Sequence, residues 1–312
     1  MKKKKLISDA KVLFSDRIWM LDKDSLSKWK RKIVETVKLI RITFSTFAEN
    51  RMGFQCVALS YFCALATVPL AAIIFWITGG LGLSDKIQQL IYTVIPADPE
   101  FLQTIMEKAN NIIDTAQSGA VGFISALIFV WSILWMMFQV ERVFNNVWGV
   151  RKVPRKIYRR FSSYIGLMIL IPFIVMIFGA GIAFYANLQT AIGIDLNVRE
   201  LKLLTVILGW LGFYAVASLI ISVMYKWIPS PKVIYKYALK SALISGAFFV
   251  AFQYLYLETQ MFVSRLNGVY GALAAIPLFL IWLNFSWQII IYGAQLTYAF
   301  QHVEDYKLEE TE

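Results

Sequence analysis

At 312 residues and 35.7 kDa the chain has the length of two soluble domains. Its composition excludes that: 58% of residues are hydrophobic, only 16% are charged and the mean hydropathy is +0.60, against about 45–50% apolar and about 25% charged in a soluble domain. A disordered chain, a coiled coil and a disulfide-stapled secreted module fall away with it, leaving an integral membrane protein with a formal net charge of +11 to be placed.

The leading segment, 1–53, is basic. Its start, Met1-Lys2-Lys3-Lys4-Lys5, resembles a signal peptide, but Asp9, Lys11, Asp16 and Arg17 interrupt the apolar run that would have to follow, so the segment is expected to be retained. Asp24-Ser25 is read as a helix cap. After it Trp29, Ile33, Val37, Ile40, Phe44 and Phe47 recur at helical spacing among Lys28, Lys30, Arg31, Lys32, Lys38 and Arg41. Such a basic amphipathic helix fits a headgroup layer with its apolar face down; the alternative is a helix docked on the protein's own loops.

Six apolar stretches follow, at about 54–78, 119–140, 161–186, 203–225, 238–260 and 272–299, each near the roughly 20 residues that cross a bilayer. The expected fold is therefore all-α and polytopic. A six-span membrane domain covers 54–299, and an acidic tail covers 300–312. Between the first two spans, 79–118 reads as an external amphipathic helical hairpin. Pro96 and Pro99 divide it, Asp98 caps the second helix with Pro99 at its first position, and Phe101, Ile105, Ala109, Ile112 and Ala116 line one face.

Charge sets the orientation. Lysine and arginine number 14 in 1–53, 7 in 141–160, 4 in 226–240 and 1 in the tail, but only 2, 2 and 1 in 79–118, 187–202 and 258–270. Basic loops stay cytoplasmic, so both termini are expected inside. The surplus charge reads as an orientation signal and a grip on anionic lipid headgroups at the cytoplasmic face. No basic module interleaved with stacking aromatics is found, so nucleic acid is not an expected partner.

Polar groups within hydrocarbon need partners or a wet cavity. Cys56, Ser60, Cys63 and Thr67 form one stripe on the first span; Ser118, Ser125, Ser132, Gln139 and Asn146 recur every seven residues along the second. Small polar stripes of this kind usually serve helix packing. On the sixth span Asn284 and Gln288, one turn apart and near mid-membrane, bring more hydrogen-bonding capacity than packing requires. With Tyr61, Gln253 and Gln295 they are the candidates for lining a substrate cavity. Glu141, Arg142 and Asn145, at the inner end of the second span, are read either as a helix-end charge pair reaching for water or as an inner gate. Pro69, Pro172 and Pro277 can kink their spans, and Gly271 is a candidate hinge. Cys56 and Cys63, seven residues apart, would lie roughly 10 Å apart on a helix, too far for a disulfide. The chain's one histidine, His302, leaves no metal site and no Ser-His-Asp triad. A nucleotide-cradling lysine loop is missing too. Neither an enzyme nor a cofactor is expected.

Longer motifs carry a resemblance. Tyr270-Gly271-Ala272-Leu273-Ala274-Ala275-Ile276-Pro277-Leu278-Phe279-Leu280-Ile281-Trp282 resembles the most recognisable stretch of the bacterial YihY/BrkB family, and Tyr292-Gly293-Ala294-Gln295-Leu296 resembles its Gly-Ala-Glu-Leu ending, with Gln295 in place of the glutamate. Ala58-Leu59-Ser60-Tyr61-Phe62 with Pro69 is similar to the family's first span, and Asn145-Asn146-Val147-Trp148-Gly149-Val150-Arg151 to its second-span exit. The resemblance runs from about residue 50 to 300. It implies a six-span protein of the bacterial inner membrane with cytoplasmic termini. The family has been labelled a virulence factor and, earlier, ribonuclease BN; a nuclease finds no clustered His and Asp here. The expected function is a transporter or lipid-handling permease of unknown cargo, the alternative a non-transporting scaffold of an envelope complex.

Overall fold

The computed structural model describes residues 27–80, 119–150, 199–264 and 268–303, with Trp19, Glu107, Tyr158, Arg160, Ser162 and 164–166 beside them. Helices account for nearly all of these: α1 (Lys28–Glu49), α2 (Met52–Gly80), α3 (Gly119–Val147), α4 (Arg199–Trp227), α5 (Tyr235–Ser264) and α6 (Gly268–His302). No strand occurs among the described residues. Five expected spans fall in α2 to α6; of the third, only Ser162 and 164–166 are described, and these are helical. Within the described residues Ile207–Trp227, Tyr235–Gln260 and Ile276–His302 are long and apolar enough to cross a membrane. The expected external hairpin, apart from Gly79, Gly80 and Glu107, and Pro172 with it, lies outside the described residues.

Local chemistry sets the helix ends. The first helix begins later than Asp24-Ser25 would place it: Ser27 holds the N-cap position, in extended conformation and with no side-chain capping bond, and its carbonyl accepts the Arg31 N–H at 2.9 Å. Arg51, at φ 48°, turns the chain from α1 into α2. The third helix runs seven residues beyond its expected end at 140, to Val147. Glu141 is buried and paired rather than stretched toward water, so nothing stops the helix there. It stops at Gly149, whose φ of 67° supplies the left-handed C-terminal cap; the Asn145 carbonyl accepts from both Trp148 N–H and Val150 N–H. Pro69 and Gly271 lie inside α2 and α6, and Pro277 inside α6, without ending either helix. The 35 residues of α6 span about 52 Å, longer than the roughly 30 Å of hydrocarbon.

The core gathers at one end of the bundle. Met52, Cys56 and Leu59 from the start of α2 meet Val143, Phe144 and Val147 from the end of α3, Ile221 and Tyr225 from the end of α4, Ala238 and Ala242 from the start of α5, and Ile291 and Ala294 from the end of α6. Helix α6 is the hub, packing against α1, α2, α3 and α5. Two glycines allow the closest approaches. Gly246 faces Ser218 of α4, and Gly293 faces Ser245 of α5 and the hydroxyl of Tyr225. That hydroxyl donates to the Ile290 carbonyl at 2.7 Å and lies 3.1 Å from Ser245 Oγ, so a buried polar group pins α4 to α6 exactly where backbone contact is tightest. The two cysteines form no disulfide with each other; Cys63 Sγ accepts from Trp287 Nε1 at 3.3 Å.

The basic helix α1 docks by a face offset from the expected stripe, with Val34, Lys38, Leu39, Ile42, Thr43 and Thr46 buried. Leu39 and Ile42 are buried against Ala299, Phe47 stacks on Tyr292 at 3.8 Å, and Thr46 donates to Gln295 at 2.8 Å. On the other side Trp29, Ile40 and Phe44 are exposed. So α1 is docked along α6 on one face and open on the other, and neither sequence alternative describes it alone.

A Cβ at Gly293 would meet Ser245 Cβ at 2.9 Å, whereas one at Gly209, exposed on α4, would meet nothing within 4 Å. We expect Gly293→Ala to cost about 1–3 kcal/mol, the usual range for overpacking, read as a lowered melting temperature of the purified protein, and Gly209→Ala to leave it unchanged or raise it. Equal melting of the two variants would contradict the packing described.

Candidate functional site

The end of α3 carries two different polar constellations, one on each side. The first is closed. Glu141 is 1% exposed, and a charge so far from water needs a partner. Arg160 supplies it, with Nε and Nη2 both 2.7 Å from Glu141 Oε2, and the Tyr164 hydroxyl donates to the same oxygen. The Arg160 guanidinium also lies 4.7 Å from the centre of the Phe138 ring, a cation–π contact, and Tyr164 meets that ring edge-on. Burial would lower the Arg160 pKa, but the hydrogen bonds and charges of Glu141 and Tyr164 outweigh it and hold the group above its ordinary value. Glu141 Oε1 has no hydrogen-bond partner among the described residues. One turn on, Asn145 Oδ1 accepts the Ser230 N–H at 2.7 Å and ties the Pro229-Ser230-Pro231 turn to α3. Its Nδ2 is buried without a partner among the described residues.

Sequence adjacency suggests a Glu141–Arg142 pair; the structure corrects it. Successive helical residues are 100° apart, and Arg142 points away from Glu141, exposed and with no ion pair among the described residues.

Arg142 belongs to the second constellation, an open cleft of about 490 Å³ between the start of α2 and the end of α3. One wall is polar: Gln55, Gln139, Arg142 and Asn146. Gln55 donates to the Asn50 carbonyl at 2.9 Å; the side chains of the other three make no hydrogen bond to the described residues. The rest of the lining is apolar: Phe54, Ala58 and Leu59 from α2, with Val143 at the end of α3 and Val150 just beyond it. Along α2, Val57, Tyr61 and Leu65 are exposed beyond a still more exposed Phe54. Small-molecule sites are clefts of about 300–1,000 Å³ with a few placed polar groups on a largely apolar lining, and this cleft falls within that range.

The mid-membrane candidates lie elsewhere and do not converge. Gln288 Nε2 donates to Asn284 Oδ1 at 2.6 Å, so the two half-buried amides partly satisfy each other within α6. Gln253 accepts from Trp282 Nε1 at 2.8 Å and joins α5 to α6. Gln295 is fully buried, accepts from Thr46 and leaves its Nε2 without a partner. Tyr61 is 59% exposed on α2. No three His, Cys, Asp or Glu side chains gather as a metal site among the described residues. Arg160 and Tyr164, not singled out from the sequence, complete the Glu141 cluster. Gln139 was visible only as a member of the seven-residue stripe, Asn146 in that stripe and in the second-span exit motif, and Gln55 carried no signal.

The profile of the family described as virulence factor BrkB matches residues 43–312. Among curated proteins the chain is similar to UPF0761 membrane proteins. It is 27% identical to one from Mannheimia succiniciproducens, over 86% of this chain and 91% of that protein. It is 26% identical to one from Aggregatibacter aphrophilus, over 88% and 96%. It is 25% identical to one from Pseudomonas paraeruginosa, over 83% of this chain and 62% of that longer protein. No solved structure matches.

Removing one partner of a buried ion pair costs about 3–5 kcal/mol, and replacing both with apolar side chains costs much less. Glu141→Leu alone should therefore lower the melting temperature steeply, and Glu141→Leu with Arg160→Leu should recover most of the loss. Additive losses in the double variant would mean that the two side chains act separately.

Proposed function

The chain belongs to the virulence factor BrkB family of membrane proteins, and on that premise we propose that it is a permease handling a lipid-like amphiphile in the bacterial inner membrane, with six spans and both termini in the cytoplasm. The cleft at the end of α3 carries this reading. Its polar wall meets an apolar lining from α2, the helix along which Val57, Tyr61 and Leu65 are exposed, the pairing of surfaces that a molecule with a polar head and an oily tail requires. The count of basic residues supports the orientation and sets the cleft at the cytoplasmic side.

The other polar groups take their places along that path. Tyr61 lies on the stripe that leads from the cleft toward mid-membrane. Asn284 and Gln288, bonded to each other in the resting protein, exchange that bond for the cargo's polar part as it passes. The Glu141–Arg160 pair and Asn145 hold the inner end of α3 as a gate post. The exposed Trp29, Ile40 and Phe44 of α1, with Lys28, Lys30, Arg31 and Lys32 beside them, rest among anionic headgroups.

The test is movement of lipid. The intact protein is reconstituted into vesicles carrying a fluorescent-headgroup phospholipid, and exchange between leaflets is followed by quenching from outside. Exchange should exceed that of protein-free vesicles, and Asn284→Leu with Gln288→Leu should abolish it while the melting temperature stays within a few degrees. Folded protein that gives no exchange above background would overturn the permease reading in favour of a scaffold.

A further inference from the structure

We propose that the cleft between α2 and α3 is a binding site for the phosphodiester headgroup of an anionic glycerophospholipid of the cytoplasmic leaflet, with Arg142 as its charge-recognising residue. The proposal rests on the permease reading for the chain's orientation in the membrane and goes beyond it in naming the ligand's chemistry.

The polar wall is built for an anion. Arg142 brings five N–H donors in a planar fork and no acceptor. Gln139, three residues before it, and Asn146, four residues after it, share its face of α3, and their amides add neutral donors on either side. No Asp or Glu lines the cleft. Arg142 has no ion pair among the described residues, in contrast to Arg160, whose charge is consumed by Glu141 on the far side of the same helix. A planar guanidinium matches two oxygens of a phosphate better than a lysine's point charge does.

The apolar wall decides between a lipid and a free anion. A site for soluble phosphate needs no Phe54, Ala58 and Leu59. Here they line the same cleft as the donors, on the helix along which Val57, Tyr61 and Leu65 are exposed. A headgroup seated on Arg142 would have an acyl chain's route laid out beside it.

The intact protein in neutral detergent is titrated with phosphatidylglycerol or phosphatidylcholine, and the first bound lipid is followed by native mass spectrometry. Phosphatidylglycerol should bind at least 10-fold more tightly. Arg142→Gln should erase that preference, Arg142→Lys should keep part of it, and Lys236→Gln, which removes an exposed cation at the start of α5, should leave it intact. Gln139→Leu with Asn146→Leu keeps the charge but removes the amide donors, and should weaken binding several-fold. Equal binding of the two lipids, or an unchanged preference in Arg142→Gln, would overturn the proposal. Displacement of the lipid by inorganic phosphate at millimolar concentration would overturn it in favour of a soluble anion. No transport enters this readout. Arg142-dependent binding without leaflet exchange would sink the permease reading and keep the site, and exchange without such binding would do the reverse.

Discussion

A carboxylate with 1% of its surface open needs a partner close at hand, and Arg160 meets Glu141 Oε2 with Nε and Nη2, each at 2.7 Å. Much else at this end of the bundle follows from that contact, because it sets the rotation of α3 about its axis. With Glu141 turned toward Arg160 and Tyr164, the next residue, Arg142, is turned toward α2. Gln139 and Asn146 come round with it, since they sit three and four residues away on the same face. One buried ion pair thus presents a second, unpaired guanidinium to an open cleft. Buried pairs are weak evidence for stability but can fix one arrangement among several, and here the arrangement fixed is the face that α3 shows to its neighbour.

The rest of the bundle handles its polar groups by other means, though Ser218, Ser241, Ser286 and Gln295 each keep a buried polar atom with no partner among the described residues. Between α4, α5 and α6 it relies on smallness. Gly246 and Gly293 let backbones approach, and the Tyr225 hydroxyl is satisfied by Ser245 and the Ile290 carbonyl. In hydrocarbon, where oily side chains gain little by leaving lipid for a neighbouring helix, close contact and internal hydrogen bonds are what hold helices together. The contrast with the cleft is chemical. Across α4, α5 and α6 side-chain amides such as Gln253 find protein partners, while on the α2–α3 side Gln139, Arg142 and Asn146 have none among the described residues. Groups of that kind are left for water or for a ligand.

Helix placement was readable from the sequence because a span announces itself by length and composition alone, and five of the six expected spans fall within described helices. The small polar stripes divide: on the first span Ser60 returns its hydroxyl to the Cys56 carbonyl of its own helix, whereas Gln139 and Asn146 of the second-span stripe line the cleft. Partnerships were another matter. Glu141 and Arg142 are neighbours in sequence, but helical geometry sends them to different sides, and Glu141's partner waits 19 residues further on, near an expected span boundary that carries no periodic signal. Asn284 and Gln288 invited a cavity because two amides carry many donors; the pair's option of bonding along its own helix was equally present in the i, i+4 spacing. For α1 the expected stripe missed the docking face: Val34, Leu39, Ile42 and Thr46 are buried while Trp29, Ile40 and Phe44 are exposed, although Phe44 and Phe47 both lie against Tyr292.

The most direct measurement of this arrangement is the chemical accessibility of α3's cleft face. In a chain carrying Cys56→Ala and Cys63→Ala, a Gln139→Cys thiol should react with a membrane-impermeant maleimide in inverted membrane vesicles and stay protected in intact cells. Protection from both sides would mean that no open cleft exists, and labelling from outside would place it at the wrong end of the membrane.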